Sequence, residues 1–101
     1  MSVLMTLRVE GDATQLEHLR EIEPDTFKRV SDAGRAAGAT FHRFYASETE
    51  ILVVDEWPDE QTFHAFFQSQ HEIPKMMAEA GATAQPEIRF YRKLDLGDDI
   101  G

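Results

Sequence analysis

Cysteine is absent from this 101-residue chain, which removes disulfides, thiolate metal ligands and a cysteine nucleophile at once. Basic side chains are scarce: 10 Lys and Arg stand against 19 Asp and Glu, for a net charge of −9. That balance argues against nucleic acid or an anionic membrane as partner, because both need a basic footprint. No apolar run approaches the roughly 20 residues of a membrane span. The opening residues Met1 to Leu7 lack a basic n-region, and Thr6 and Arg8 interrupt their apolar character, so a signal peptide is not expected and a cytoplasmic protein is. The four histidines show neither i, i+4 spacing nor an HExxH pattern, so no metal site is expected. There is also no Gly-rich phosphate loop, nucleophile elbow or flavin or nicotinamide fingerprint, and no bound organic cofactor is expected.

What remains is an ordinary globular composition, 42% hydrophobic and 29% charged, of a size suited to one domain over residues 1–101. The core is expected over residues 3–94, with 95–101 as an acidic tail. Val3, Met5, Leu7 and Val9 alternate with Leu4, Thr6 and Arg8, the period of a strand with one strongly apolar face. Asp12 is a candidate N-cap for a helix carrying Leu16, Leu19 and Ile22. Pro24 predicts a kink or short break there, because proline cannot supply the amide proton of a helix interior. The helical pattern resumes at Phe27, Val30, Ala33 and Ala37 and closes at Gly38.

Residues 40–46, TFHRFYA, read as a second strand and residues 51–57, ILVVDEW, as a third, joined through Ser47 to Glu50 as a hairpin. A symmetric turn sets Ala46 opposite Ile51, Phe44 opposite Val53, His42 opposite Asp55 and Thr40 opposite Trp57, and opposed residues share a face. A second helix is expected over about 59–80, with Phe63, Phe66, Phe67, Gln70, Ile73, Met77 and Ala80 on one stripe and a bend or break near 70–74 imposed by Pro74. Residues 86–94, PEIRFYRKL, complete the set as a fourth strand.

The order β-α-β-β-α-β is the split βαβ or ferredoxin-like arrangement, an α+β fold with two helices on one face of a four-stranded antiparallel sheet. The third strand is apolar on both sides, and Leu4, Tyr91 and either Tyr45 or Phe44 fall on the face that the helices leave bare. A second copy of the chain is the economical cover, so a homodimer is expected.

The junction VVDEWPDEQTFHAFF followed by His71, Pro74 and Met76, the strand GATFHRFYA and the closing PEIRFYRKL resemble the dimeric α+β barrel proteins of the antibiotic biosynthesis monooxygenase type, over residues 3–94. The motifs are a strand ending in Trp57, an acidic helix start, and His71 about 14 residues beyond the tryptophan. The resemblance implies a small-molecule enzyme similar to cofactor-independent monooxygenases, acting on an aromatic or polyketide-like substrate. The same fold also hosts haem-degrading, dehydratase-like and isomerase-like enzymes and members without known activity. Two departures bear on this. A second family histidine, five residues before the position of His71, is replaced by Phe66. The Asn, Trp and axial His of the haem-degrading branch correspond most closely to Leu7, Phe66 and Met76, so haem cleavage is not expected.

Two sets of side chains carry the candidate site. His42 facing Asp55, with Trp57 beside them, suits a general base or a donor to a phenolate or quinone oxygen, and the resemblance adds His71. The competing reading of His42 and Asp55 is a surface cross-strand pair worth about 0.2 to 1 kcal/mol. Trp57, Phe63, Phe66, Phe67 and Met77 either fill a core or line a pocket for a small apolar or aromatic ligand. A non-catalytic, stress-related binding module of the same fold is therefore the alternative to an enzyme.

Overall fold

The computed structural model describes residues 2–82 and 85–101. The alternating first segment forms β1, Val3–Glu10, at the inside of a four-stranded sheet. Then follow α1 (Ala13–Ile22), α2 (Pro24–Ala37), β2 (Phe41–Ala46), β3 (Glu50–Trp57), α3 (Glu60–Ser69), α4 (Glu72–Glu79) and β4 (Glu87–Tyr91). The strand order is β2-β3-β1-β4 with every neighbouring pair antiparallel, the ferredoxin-like α+β arrangement.

Each helical region of the sequence resolves into two helices. Glu23 leaves the helical conformation, so α1 ends before Pro24, and the proline opens α2 where its missing amide proton costs nothing. Gln70, extended at φ −95° and ψ 112°, separates α3 from α4 and places Pro74 in the first turn of α4. Caps fix the starts. Asp12 accepts from the Thr14 amide at 2.9 Å, and Asp59 accepts from the Thr62 amide and hydroxyl, both at 2.7 Å. Gly38 ends α2 at φ 123°, a conformation that favours glycine, and a Cβ there would also lie 3.2 Å from the Pro58 ring.

The hairpin register is as expected over three pairs: Ala46 faces Ile51, Phe44 faces Val53 and His42 faces Asp55. Thr40 departs from it. Pairing begins at Phe41 opposite Glu56, and the Thr40 hydroxyl donates to Glu56 Oε1 at 2.8 Å instead of facing Trp57. Ser47 closes the turn, its amide donating to the Glu50 carbonyl and its hydroxyl accepting from the amides of Thr49 and Glu50. β4 is shorter than residues 86–94. It pairs only with β1, Leu4 opposite Tyr91, and β1 begins one residue before Leu4, so the chain beyond Tyr91 has no partner strand to follow. The tail from Asp95 is exposed.

Burial follows the pleat. Met5, Leu7, Val9, Ile51 and Trp57 face the helices and form the core with Phe63, Phe66 and Ala80. The opposite face carries Leu4, Thr6, Arg8, Leu52, Val54 and Glu56, with Tyr45 and Tyr91 half exposed on the flanking strands. Of the two adjacent aromatics, Tyr45 is thus the outer one, on the same face as Phe41, and Phe44 points to the helical side.

Candidate functional site

The sheet and helices do not close completely on each other. Between them lies a cavity of about 300 Å³. Its floor is the inner face of the sheet, including Met5, Leu7, Val53 and Trp57. α3 supplies Phe63, Phe66 and Phe67, α4 supplies Ile73, Met76 and Met77, and α2 supplies Phe27, Val30, Ser31 and Gly34. The aromatic wall is ordered: Phe63 stacks on Phe67 at 5.4 Å between centroids and meets Trp57 edge-on at 5.7 Å, while Phe66 lies 5.1 Å from Trp57. Among the lining side chains only His42, Asp55 and Ser31 bring polar hydrogen-bonding groups besides the Trp57 indole N–H. An apolar chamber with few polar groups is the usual form of a small-molecule site.

The polar end is built by the hairpin. β3 is internal to the sheet and buries Asp55 and Trp57, while β2 is an edge strand, so His42 keeps about a third of its side chain exposed. His42 Nδ1 lies 2.6 Å from Asp55 Oδ1, and the Trp57 indole N–H donates to Asp55 Oδ2 at 3.1 Å. Both oxygens of one buried carboxylate are therefore engaged, and no buried polar side-chain atom among the described residues lacks a partner. Because an ionised carboxylate only accepts, this geometry assigns the imidazole proton to Nδ1. In neutral His42 the second nitrogen, Nε2, is then a proton acceptor, which is the arrangement a general base requires.

A shallow groove lined by Ala13, Glu17, Arg20 and Tyr45 shares Leu16, Phe27, Phe44 and Ile51 with the cavity. Phe27 and Phe44 meet edge-to-face there with centroids 6.1 Å apart, and Phe44 is 40% exposed. The cavity thus reaches the surface on the β2 side, next to His42, whose ring sits 5.1 Å from that of Phe44.

The structure brings together His42, Asp55, Trp57, Phe63, Phe66, Phe67 and Met77 around one space, and it leaves His71 out. His71 is exposed and stands immediately before α4, outside the lining residues. The cause is the break at Gln70: a stripe counted through an unbroken helix puts His71 beside Phe67, but the extended residue resets the phase. Lining residues from α2 were not singled out from the sequence as site residues. Phe27, Val30, Ser31 and Gly34 recur at i, i+3, i+4 and i+7, so a helical stripe was present, with two small residues where larger ones would have filled the space.

α4 is tied over the cavity from its outer side. Arg29 on α2 makes a charge-assisted pair with Glu72, and Lys75 reaches Glu23 at 3.4 Å. The Arg29 side-chain hydrogen bond holds the Glu72 carboxyl below its usual range, and the same contact raises Arg29.

No family model matches the chain, and no curated protein matches it by sequence. Solved structures do match in fold. Rv0793 from Mycobacterium tuberculosis is 15% identical, with 97% of this chain and 100% of that chain covered at a TM-score of 0.62. A Deinococcus radiodurans protein provisionally described as an antibiotic biosynthesis monooxygenase is 14% identical, with 98% and 99% covered at a TM-score of 0.64. SnoaB from Streptomyces nogalater, described as a cofactor-independent oxygenase, is 10% identical, with 97% of each chain covered at a TM-score of 0.59. At such identities the likeness is one of fold, and it is the fold that the sequence resemblance implied. Among the described residues, no helix is long and apolar enough to cross a membrane.

Proposed function

We propose that this chain is a cytoplasmic small-molecule enzyme similar to cofactor-independent monooxygenases, acting on a hydroxylated aromatic or polyketide-like substrate. The observation that carries this reading is the chain of hydrogen bonds from Trp57 through Asp55 to His42 at the polar end of an otherwise apolar cavity. A flat ligand is held by Trp57, Phe63, Phe66, Phe67 and Met77, with its hydroxyl directed to His42. Nε2 of His42 takes the phenolic proton, Asp55 stabilises the imidazolium that forms, and the phenolate is the electron-rich species that reacts with dioxygen. The overall change balances as a hydroxyarene plus O₂ giving a quinone plus water: one oxygen atom enters the ring, the other leaves as water, and the substrate supplies the electrons. The chain's part is deprotonation, orientation and exclusion of water. His71, exposed outside the cavity, has no step in this sequence.

Oxygen uptake with a panel of phenols and naphthols tests the proposal. Uptake that depends on His42 supports it. Saturable binding with no uptake across the panel points instead to the binding module, and absence of any binding removes both.

We infer further that the chain works as a homodimer closed through the outer sheet face. Leu4, Tyr45, Leu52, Val54 and Tyr91 leave apolar surface there, ringed by the Arg8–Glu50 pair and by Arg89 with Glu87. A cover of the same composition meets both needs.

A further inference from the structure

Most of the polar atoms that line the cavity are already committed. Asp55 engages His42 with one oxygen and the Trp57 indole N–H with the other. Two polar groups of the lining are left to meet a ligand, Nε2 of His42 and the hydroxyl of Ser31. Ser31 sits inside α2, and a serine within a helix can turn its hydroxyl back onto a carbonyl of the preceding turn. Ser69 does so in α3, donating to the Phe66 carbonyl at 2.7 Å. No comparable bond holds the Ser31 hydroxyl among the described residues, and Ser31 is exposed at the rim of the cavity it lines.

The path of the chain sets Ser31 across the opening from His42. Only Gly38, Ala39 and Thr40 join α2 to β2, so the two elements run back along each other. Away from that turn the rings of Phe27 and Phe44 meet, with centroids 6.1 Å apart. From Phe27 to Ser31 is a step of about 6 Å along α2, and from Phe44 back to His42 a step of about 6.6 Å along β2. Both steps lead toward the turn, so Ser31 comes level with His42. Both side chains also reach solvent, whereas the inner wall of the cavity is made of Phe63, Phe66 and Phe67.

We propose that Ser31 is a specificity-determining residue of this site, its hydroxyl meeting a second oxygen on the same ligand edge whose first oxygen faces His42. The inference rests on the reading of the cavity as the site of a hydroxylated aromatic, and it narrows the ligand class to arenes with two oxygen functions on one edge, ortho or meta to each other. An oxygen at the far end of the ring would be carried against the phenylalanines and buried there without a partner. A serine hydroxyl both donates and accepts, so either a hydroxyl or a carbonyl serves as the second function.

Calorimetric titration of the full chain with phenol, catechol, resorcinol and hydroquinone tests it, under argon so that no oxygen consumes the ligand. The tighter of catechol and resorcinol should bind about fivefold or more better than phenol, the weight of one neutral hydrogen bond. Hydroquinone, with its oxygens at opposite ends of the ring, should gain nothing over phenol. In Ser31→Ala the gain should disappear while phenol binds as before, and Ser31→Thr, which keeps the hydroxyl, should retain it. Catechol and resorcinol binding no better than phenol, or a gain that persists in Ser31→Ala, overturns this inference and leaves the cavity site standing. An equal gain for hydroquinone, weakened phenol binding in Ser31→Ala, or loss of the gain in Ser31→Thr also overturns it. An unaltered chain that binds none of the four probes overturns the inference together with the reading beneath it.

Discussion

Trp57 and Asp55, two residues apart on the same strand, are joined by a hydrogen bond of 3.1 Å from the indole N–H to Oδ2. Residues i and i+2 of a strand share a face, so this contact is built into the pleat and needs no help from the helices. It leaves Oδ1 to His42 on the neighbouring strand, at 2.6 Å. The buried carboxylate is therefore oriented from one side by a rigid aromatic donor and presents its other oxygen to a half-exposed imidazole.

Removing the donor while keeping an aromatic ring at this position should expose this dependence. Trp57→Phe is expected to lose about 1 to 3 kcal/mol of stability in a urea titration, because Asp55 Oδ2 is left buried without its partner. Pairing it with Asp55→Ala in a double-mutant cycle should give a combined loss smaller than the sum of the two, since both substitutions break the same bond. Full additivity would mean that the indole and carboxylate do not interact.

His42→Ala should abolish turnover while leaving ligand affinity within about tenfold, the pattern of a group that acts chiefly in the transition state. Trp57 and Phe67 should behave in the opposite way, weakening binding when truncated because they supply contact area. Steady-state rates alongside calorimetry separate the two effects. A His42→Ala variant with unimpaired turnover would show that the cross-strand pair is structural only.

The hairpin was legible because His42, Phe44 and Ala46 alternate on one strand and Ile51, Val53 and Asp55 on the next, around a short polar turn. Once the register is set, the face of Trp57 follows. The cavity was less legible. Its α2 wall depends on Ser31 and Gly34 being small, and a small side chain reads alike whether the space beside it is empty or filled by a neighbour. His71 entered through the resemblance, and the break that Pro74 predicted near 70–74 falls at the extended residue Gln70, which carries His71 outside the cavity lining.

Acid should weaken the fold partly through the start of α3. The side-chain and backbone hydrogen bonds from Thr62 hold the Asp59 carboxyl below its usual range. Its folded value thus lies below the unfolded value of about 3.9, so the contribution of Asp59 is complete above that value and is lost as pH falls through the folded one. Asp59→Ala is accordingly expected to be less stable than the unaltered chain near neutrality, and the difference should shrink in acid. Denaturation midpoints across that range check this, and a difference independent of pH would contradict it.

Sedimentation should find a dimer at micromolar concentration, with an interface above roughly 1,200 Å² in total. Replacing Leu52 with Glu on the outer face should release monomer without disturbing the cavity, because that side chain points away from the helices. A stable folded monomer of the unaltered chain would contradict the proposed pairing of sheets.

The presence of one tryptophan makes the most direct test of the site possible, since an amide correlation spectrum of this chain contains a single indole N–H resonance, that of Trp57. Titration with 2-naphthol is expected to shift that resonance saturably, together with the backbone amides of Gly34 and Phe63, which both line the cavity. An indole signal that stays fixed at saturating ligand, or shifts confined to the outer sheet face, would contradict a ligand site between the helices and the sheet.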